Sequence, residues 1–305
     1  MPSASLKAAF LGLGAIGRPM AAHLAGKTDL AVWNRTRARA EEFAARHGAR
    51  VGATPRDTAA GAEVVLTCLP TSAEVEQLLD GADGLGADGL EAGLARGALL
   101  LDCTSGDPAA SRRIAARLAA RGVAFADCPV SGGTNGAEAG TLTVMVGGDA
   151  ATFARARPVL EAFGRRIDHM GPVGAGQAVK AVNNALLAAH ILAFGEGFAA
   201  LAKAGVSARK AIDIVNASSG RSFVSEVLAP DRVLSGRWPR TFRLALLEKD
   251  VRIALGVLDA NGVPGPLLHL VGDLFRRART ALGEDADHVE AVRLIEREAG
   301  VEIRG

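Results

Sequence analysis

Ala8-Ala9-Phe10-Leu11-Gly12-Leu13-Gly14-Ala15-Ile16-Gly17, followed by Arg18-Pro19-Met20, decides how the rest of the chain is read. A short apolar run turns sharply, on three glycines, into a helix. This strand–turn–helix arrangement suits a dinucleotide: Gly12 permits the tight turn, Gly14 lets a pyrophosphate approach the backbone, and Gly17 lets the helix pack against the sheet. The helix N-terminal amides then face the phosphates. The whole turn, with Leu13, Ala15 and Ile16 between the glycines, is the candidate cofactor-binding surface.

The chain has 305 residues, room for two domains of ordinary size. It is 49% hydrophobic and 22% charged with a formal net charge of +2, so neither nucleic acid nor an acidic membrane surface is an expected partner. The absence of Tyr and the 4% aromatic content argue against a base-stacking platform. Lys7 and the apolar run after it resemble a secretory leader, but fingerprint glycines have no place in one. Ala185 to Ala204 is the most apolar stretch, yet His190, Glu196 and Lys203 interrupt it, which predicts a buried helix rather than a membrane span. Cys68, Cys103 and Cys128 show neither disulfide nor metal spacing. They read as reduced thiols of a cytoplasmic protein, small core residues at strand ends, one of which could lie by the site.

Outward from the fingerprint, apolar strands alternate with helical segments. Strands are expected at 7–11, 30–33, 64–70, 98–102, 123–127 and 142–146, and helices at 19–25, 38–47, 73–79 and 108–120. Such alternation predicts an α/β, mostly parallel, doubly wound sheet of the Rossmann type. The near repeat from Gly81 to Leu90 is read as a surface loop. No convincing strand follows about Gly171. Helices are expected at 178–203 (bent near Gly195 or Gly197), 208–217, 244–261, 267–282 and 288–299. The resulting division is a nucleotide-binding domain over 1–171 and an all-α C-terminal domain over 172–305. The apolar character of the first long helix on most of its faces calls for burial that a second subunit could partly supply, in a homodimer or homotetramer.

The residues after the second strand bear on cofactor choice. An NAD-selecting fold usually places Asp or Glu there, about 20 residues past the fingerprint, to hold the ribose 2′-hydroxyl. Here the sequence is Trp33-Asn34-Arg35-Thr36-Arg37, without a carboxylate. Arg35 offers planar, charge-assisted hydrogen bonds to a 2′-phosphate, with Asn34 and Thr36 adding neutral ones, so NADP(H) is favoured over NAD(H). The plainer alternative is two arginines solvating a loop.

Three further segments carry candidate chemistry. In Asp127-Cys128-Pro129-Val130-Ser131-Gly132-Gly133-Thr134, Ser131 and the amides of Gly132 and Gly133 could hold a carboxylate, or could simply form a turn. In Gly174-Ala175-Gly176-Gln177-Ala178-Val179-Lys180-Ala181-Val182-Asn183-Asn184, Lys180 and Asn184 share one helical face. Among apolar neighbours, Lys180 must reach solvent, find a partner or shift its pKa. Beside an oxidised nicotinamide its pKa should fall toward the range useful for proton transfer, whereas at a bare domain junction it would only snorkel. Lys249-Asp250, within Phe242 to Asp250, reads either as a surface ion pair or as a group closing the cofactor site.

Taken together, in this order and spacing, these segments resemble the β-hydroxyacid dehydrogenase family, which includes 3-hydroxyisobutyrate dehydrogenase, tartronate semialdehyde reductase and glyoxylate/succinic semialdehyde reductase. The similarity runs from Leu6 to about Arg297 and includes Met20, Cys68-Leu69-Pro70, Asp102 to Pro108, Pro129 to Gly133, Gly136-Ala137 with Gly140, Lys180/Asn184 and Lys249-Asp250. It implies Lys180 as the proton donor in reduction and Asn184 as the residue orienting substrate or lysine. It implies Ser131, Gly132 and Gly133 at the substrate carboxylate, and Phe242 and Asp250 lining the closing face. It further implies Leu69, Pro70 and Ser105 beside the cofactor, and Lys249 closing over it. Asn34-Arg35-Thr36 resembles the NADPH-using members. One departure is Cys103-Thr104-Ser105, where the family usually has Ser-Thr after the aspartate; the hydroxyl survives and a methyl is lost.

The expected reaction interconverts a small 3-hydroxy acid, or another short hydroxy acid, and its semialdehyde, with Lys180 as general acid and base and no metal. An NADPH-dependent glyoxylate/succinic semialdehyde reductase is the alternative. Imine reductases share the fold but generally lack the lysine, and 6-phosphogluconate dehydrogenase has a larger helical domain. A non-catalytic NADP(H)-binding protein is the reading from outside enzymology.

Overall fold

In the computed structural model, which describes residues 5–81 and 86–305, the chain divides into two compact units, Met1–Lys180 and Ala181–Gly305. Among the described residues the first unit holds nine strands: β1 (Lys7–Leu11), β2 (Asp29–Trp33), β3 (Arg50–Val51), β4 (Val64–Thr67), β5 (Leu99–Asp102), β6 (Ala124–Asp127), β7 (Val130–Ser131), β8 (Leu142–Gly147) and β9 (Gly164–Gly171). They form one sheet in the order β3-β2-β1-β4-β5-β6-β8-β7, with β9 paired to β8. The pairs from β3 through β6 are all parallel. The order 3-2-1-4-5-6 among them is the doubly wound dinucleotide-binding topology, with its crevice at the carboxyl ends of β1 and β4. β8 runs antiparallel to β6 and β7 and parallel to β9.

The two-residue period of the strands explains the two layers. Phe10, Val32, Leu66 and Leu101 point to one face, where they meet Met20 and Leu24 of helix Gly17–Leu24 and Phe43 of helix Arg37–His47. Their neighbours Leu11, Ala31, Val65 and Leu100 point to the other, against Val75 and Leu79 of helix Ser72–Asp80 and Ile114 and Leu118 of helix Pro108–Ala119. Both faces are buried, which is why the strands read as continuous apolar runs. The fourth strand ends at Thr67, earlier than the apolar run to Pro70 suggests. The Cys68 amide makes a last 3.0 Å bond to Leu11 O, and Pro70 has no N–H to continue the ladder. Residues 82–85 of the Gly81–Leu90 near repeat lie outside the described residues.

The second unit is helical. Around Ala185, Ala188, Ile191, Phe194 and Phe198 of the long helix Ala175–Lys203 pack helices Ala208–Asn216, Leu244–Ala260, Pro266–Leu282 and Ala291–Ala299. Two wide-turn segments, Val224–Leu228 and Pro230–Leu234, complete that core. Among the described residues the long helix is the one long and apolar enough to cross a membrane by length and composition, with a mean hydropathy of 1.7 in its most apolar window. Its buried side chains line the core of this unit, as a core helix requires, while Leu186 stays 50% exposed.

Candidate active site

The fingerprint turn is built for close contact on two sides and openness on a third. Gly12 has φ +106°, and a Cβ there would stand 2.3 Å from Cys68 O. A Cβ on Gly17 would meet Gly12 O at 2.0 Å, whereas one on Gly14 would meet nothing within 4 Å. Gly14 and Ala15 are exposed, Ile16 is half-buried and Leu13 is in the core. Helix Gly17–Leu24 has neither a side-chain cap nor an acidic residue in its first turn, so its N-terminal amides and dipole are available to an anion. This turn fits a dinucleotide pyrophosphate.

Asn34 ties the loop after β2 to that turn. Its Oδ1 accepts from Leu13 N at 3.0 Å and its Nδ2 donates to Thr36 O at 3.0 Å. Arg35 and Thr36 are exposed, and Arg37 pairs with Glu41 at 2.8 Å. Trp33, Asn34, Arg35, Arg37 and Ala40 line a cavity of about 160 Å³ together with Val51, Gly52 and Ala53. The sequence gives little sign of the contribution from Val51 to Ala53, because β3 is only two residues long.

Along the carboxyl edge of the sheet, half-buried Leu69 donates its amide to Thr104 Oγ1 at 3.0 Å, and Pro70 is exposed beside it. Asp102 accepts from Thr67 Oγ1 at 2.8 Å and from Thr104 N at 3.1 Å. The hydroxyl of Thr104 therefore holds the loop, and half-buried Ser105 follows it. Cys68, Cys103 and Cys128 are free thiols. Desolvation by burial is the first cause that pushes all three up in pKa, which makes them poor nucleophiles. Ser131 ends β7, and Gly132 (φ +134°) and Gly133 (φ +63°) turn the chain into helix Gly133–Glu138 with both glycines exposed.

The long helix begins at Ala175, earlier than its apolar period suggests, because a buried carboxylate caps it. Asp127, the last residue of β6, accepts from Gly174 N at 2.7 Å through Oδ1 and from Gln177 N at 2.8 Å through Oδ2. Desolvation pushes its pKa up to about 6, against the lowering effect of those amides, with the Asp102 charge adding to the rise. Lys180 lies on the next turn and is 9% exposed.

In the helical unit, Asn184 is buried and donates to Asp250 Oδ2 at 2.6 Å, while Lys249 Nζ lies 3.0 Å from Asp250 Oδ1. Asn183 donates to Asn184 Oδ1 at 3.1 Å. The Lys249–Asp250 pair is thus buried and joined to Asn184, and the surface-pair reading is excluded. Half-buried Phe242 precedes this helix; its amide donates to Asp287 Oδ2 at 3.0 Å and its ring meets His288 edge-on. Asp287 carries no motif in the sequence, yet it is the hub of this corner.

Comparison with known proteins agrees with this architecture. Residues 7–171 match the family model for the NAD-binding domain of 6-phosphogluconate dehydrogenase. Residues 174–295 match that described as the NAD-binding domain of NADP-dependent 3-hydroxyisobutyrate dehydrogenase. The chain is 40% identical over 276 residues to an NAD-dependent L-serine dehydrogenase of Pseudomonas aeruginosa, covering 88% of this chain and 90% of that protein. It is 35% identical over 303 residues to 2-(hydroxymethyl)glutarate dehydrogenase of Eubacterium barkeri, covering 99% and 98% respectively. The solved structure of Mycobacterium tuberculosis 3-hydroxyisobutyrate dehydrogenase with L-serine superposes with a TM-score of 0.83 at 32% identity, over 95% of this chain and 99% of that one. Fold and fingerprint define an NAD(P)-dependent oxidoreductase of the dehydrogenase class. The chain belongs to the β-hydroxyacid dehydrogenase family, whose members include 3-hydroxyisobutyrate dehydrogenases.

Proposed function

We propose that this enzyme interconverts a small 3-hydroxy acid and its semialdehyde, using NADP(H) in preference to NAD(H). A short-chain aldehyde acid such as glyoxylate or succinic semialdehyde is the second candidate substrate. The observation that carries the reading is Lys180: a buried lysine on the first turns of a helix whose next turn presents Asn184. In reduction, Lys180 Nζ gives its proton to the carbonyl oxygen as negative charge develops there, and its positive charge steadies that oxygen. Ser131 and the exposed backbone at Gly132 and Gly133 take the substrate carboxylate. Asn184, held by Asp250 and Asn183, keeps one amide proton for the substrate or for Lys180. The family resemblance assigns Phe242 and Asp250 to the substrate and Lys249 to the cofactor. When bound, the dinucleotide supplies the hydride; the turn Gly12–Gly17, Leu69, Pro70 and Ser105 would hold it, with Asn34, Arg35 and Thr36 at its ribose. We assign 1–171 to the cofactor and 172–305 to the helical domain. The half-exposed Leu186 on the long helix supports a homodimer or homotetramer, and the three free thiols suit a cytoplasmic protein.

The test is a panel of glyoxylate and the succinic, tartronate and methylmalonate semialdehydes, each with NADPH and NADH, and of L-serine with NADP+ and NAD+. Turnover of one or more with NADPH is expected. Cofactor binding without turnover on every compound would instead favour a sensor. Lys180→Ala should lose about 10²–10⁴-fold in kcat, the range for a positioned general acid, while keeping NADPH affinity; unchanged turnover removes the lysine from the mechanism. Arg35→Ala should weaken NADPH by about 10–100-fold, the value of one charge-assisted contact, and leave NADH within about threefold. Equal losses for both dinucleotides would refute the 2′-phosphate reading.

A further inference from the structure

Gln177 is buried at 1% exposure and satisfies both ends of its amide on one loop. Its Oε1 accepts from Gly106 N at 2.8 Å and its Nε2 donates to Thr104 O at 2.7 Å. Ser105 is the residue between those two backbone grips. The Gln177 main-chain N–H meanwhile donates to Asp127 Oδ2. Asp127 also fixes Gly174, so the first turn of the helix is held at two points by the end of β6 and at two more by the loop after β5. Two glycines make this approach feasible. A Cβ on Gly147 would lie 2.4 Å from Asp127 Oδ1, and one on Gly176 would lie 2.2 Å from Met145 O and 2.8 Å from Asp127 Oδ2. Backbone and carboxylate atoms occupy that space and cannot swing aside.

We propose that Asp127 and Gln177 are positioning residues for catalysis, a clamp that sets the Lys180 turn against the Ser105 loop. Lys180 lies three residues beyond Gln177, close to one helical turn, so a shift of the first turn is carried to its amine. A helix cap needed only for stability would not require the second grip on the loop expected to stand beside the nicotinamide. The proposal rests on the assignment of Lys180 as the proton donor, and it reaches residues that touch neither substrate nor cofactor.

The full-length enzyme is compared with Gln177→Ala, Asp127→Asn, the double variant and Lys180→Ala, on whichever aldehyde of the panel is turned over. Gln177→Ala keeps its main-chain bond to Asp127 and loses only the loop grip. Its kcat should fall about 10–100-fold, as a misplacement near 1 Å can cause, with NADPH KM held within about twofold. The alkaline limb of kcat against pH should move by at least about half a unit, because the surroundings of the proton donor change. Asp127→Asn, which keeps one acceptor, should fall between this variant and wild type. The double variant should lose no more than about threefold beyond the worse single one, as members of one unit do. Gln177→Glu, which keeps the Gly106 acceptor and drops the Thr104 donor, replaces either variant that does not fold. Folded clamp variants with kcat within about threefold of wild type and an unmoved limb would overturn the proposal. If Lys180→Ala is inactive in that case, the clamp alone has failed. If Lys180→Ala turns over normally, the assignment of the lysine has failed instead.

Discussion

Three glycines of one turn ask for three different things of the same residue type. Gly17 lies 2.0 Å, at its would-be Cβ, from a backbone oxygen, and Gly12 combines φ +106° with a comparable backbone contact. Gly14 has open space. Gly17→Ala should therefore cost stability, about 1–3 kcal/mol as for overpacking, because the helix must retreat from the turn. Gly14→Ala should leave the urea midpoint unchanged and weaken the dinucleotide, because on the proposed reading the new methyl would stand where the pyrophosphate approaches. Urea unfolding with and without NADPH separates the two cases. An unstable Gly14→Ala, or one with wild-type affinity, would show that the open side of the turn does not face the cofactor. The tight packing asked of Gly12 and Gly17 was legible in the sequence, because turn chemistry depends on neighbours a few residues away. Asp127 was not: its partners Gly174 and Gln177 lie 47 and 50 positions further on.

The same distinction holds for whole elements. Apolar runs with two-sided burial gave away β1, β2, β4, β5, β6 and β8, and the amphipathic helices were legible to within a few residues. β9 was missed because its sequence, Gly-Arg-Arg-Ile-Asp-His-Met-Gly, is charged and mostly exposed or half-buried, with Arg166 paired to Asp168 at 2.6 Å. Helix Ala150–Leu160 hid behind Pro158, and β3, β7 and helix Pro55–Ala59 are too short for a period to show. The corner before helix Leu244–Ala260 was equally silent. There Asp287 accepts from Thr241 N (2.8 Å), Thr241 Oγ1 (3.0 Å) and Phe242 N (3.0 Å) through Oδ2, and from Arg232 Nη1 (2.9 Å) through Oδ1. Asp287→Ala leaves a nearly buried Arg232 without this carboxylate and should cost about 3–5 kcal/mol, the usual result of breaking one side of a buried pair. It should also loosen the element that carries Lys249 and Asp250. The expected readout is a lower urea midpoint together with lost turnover; a midpoint at the wild-type value would show that the hub is dispensable.

At the scale of the whole molecule, two buried carboxylates tilt stability against pH in opposite directions. Burial alone would raise Asp287, but the His288 hydrogen bond and charge, with the amides of Phe242 and Thr241, outweigh it and hold the group well below the usual range. Its stabilisation is complete above the unfolded carboxylate pKa near 3.8 and is lost as pH falls through the folded value. Asp127 behaves in the reverse sense. The folded state takes up its proton near pH 6 and the unfolded chain only near 3.8, so between these values the native state binds more protons. Stability from this group therefore declines as pH rises through the window, by up to about 3 kcal/mol at roughly 1.4 kcal/mol per unit. Asp127→Asn carries no charge to bury. The wild-type stability minus that of Asp127→Asn should thus be most favourable near pH 4, decline through pH 5 and level off above pH 6. For Asp287→Asn the corresponding difference should stay level from pH 7 to about 5 and shrink only below about pH 4. Urea unfolding at half-unit steps measures both differences. A level Asp127 difference across pH 4 to 7 would mean that its carboxylate stays ionised throughout, and that the amides of Gly174 and Gln177 outweigh the desolvation of the site.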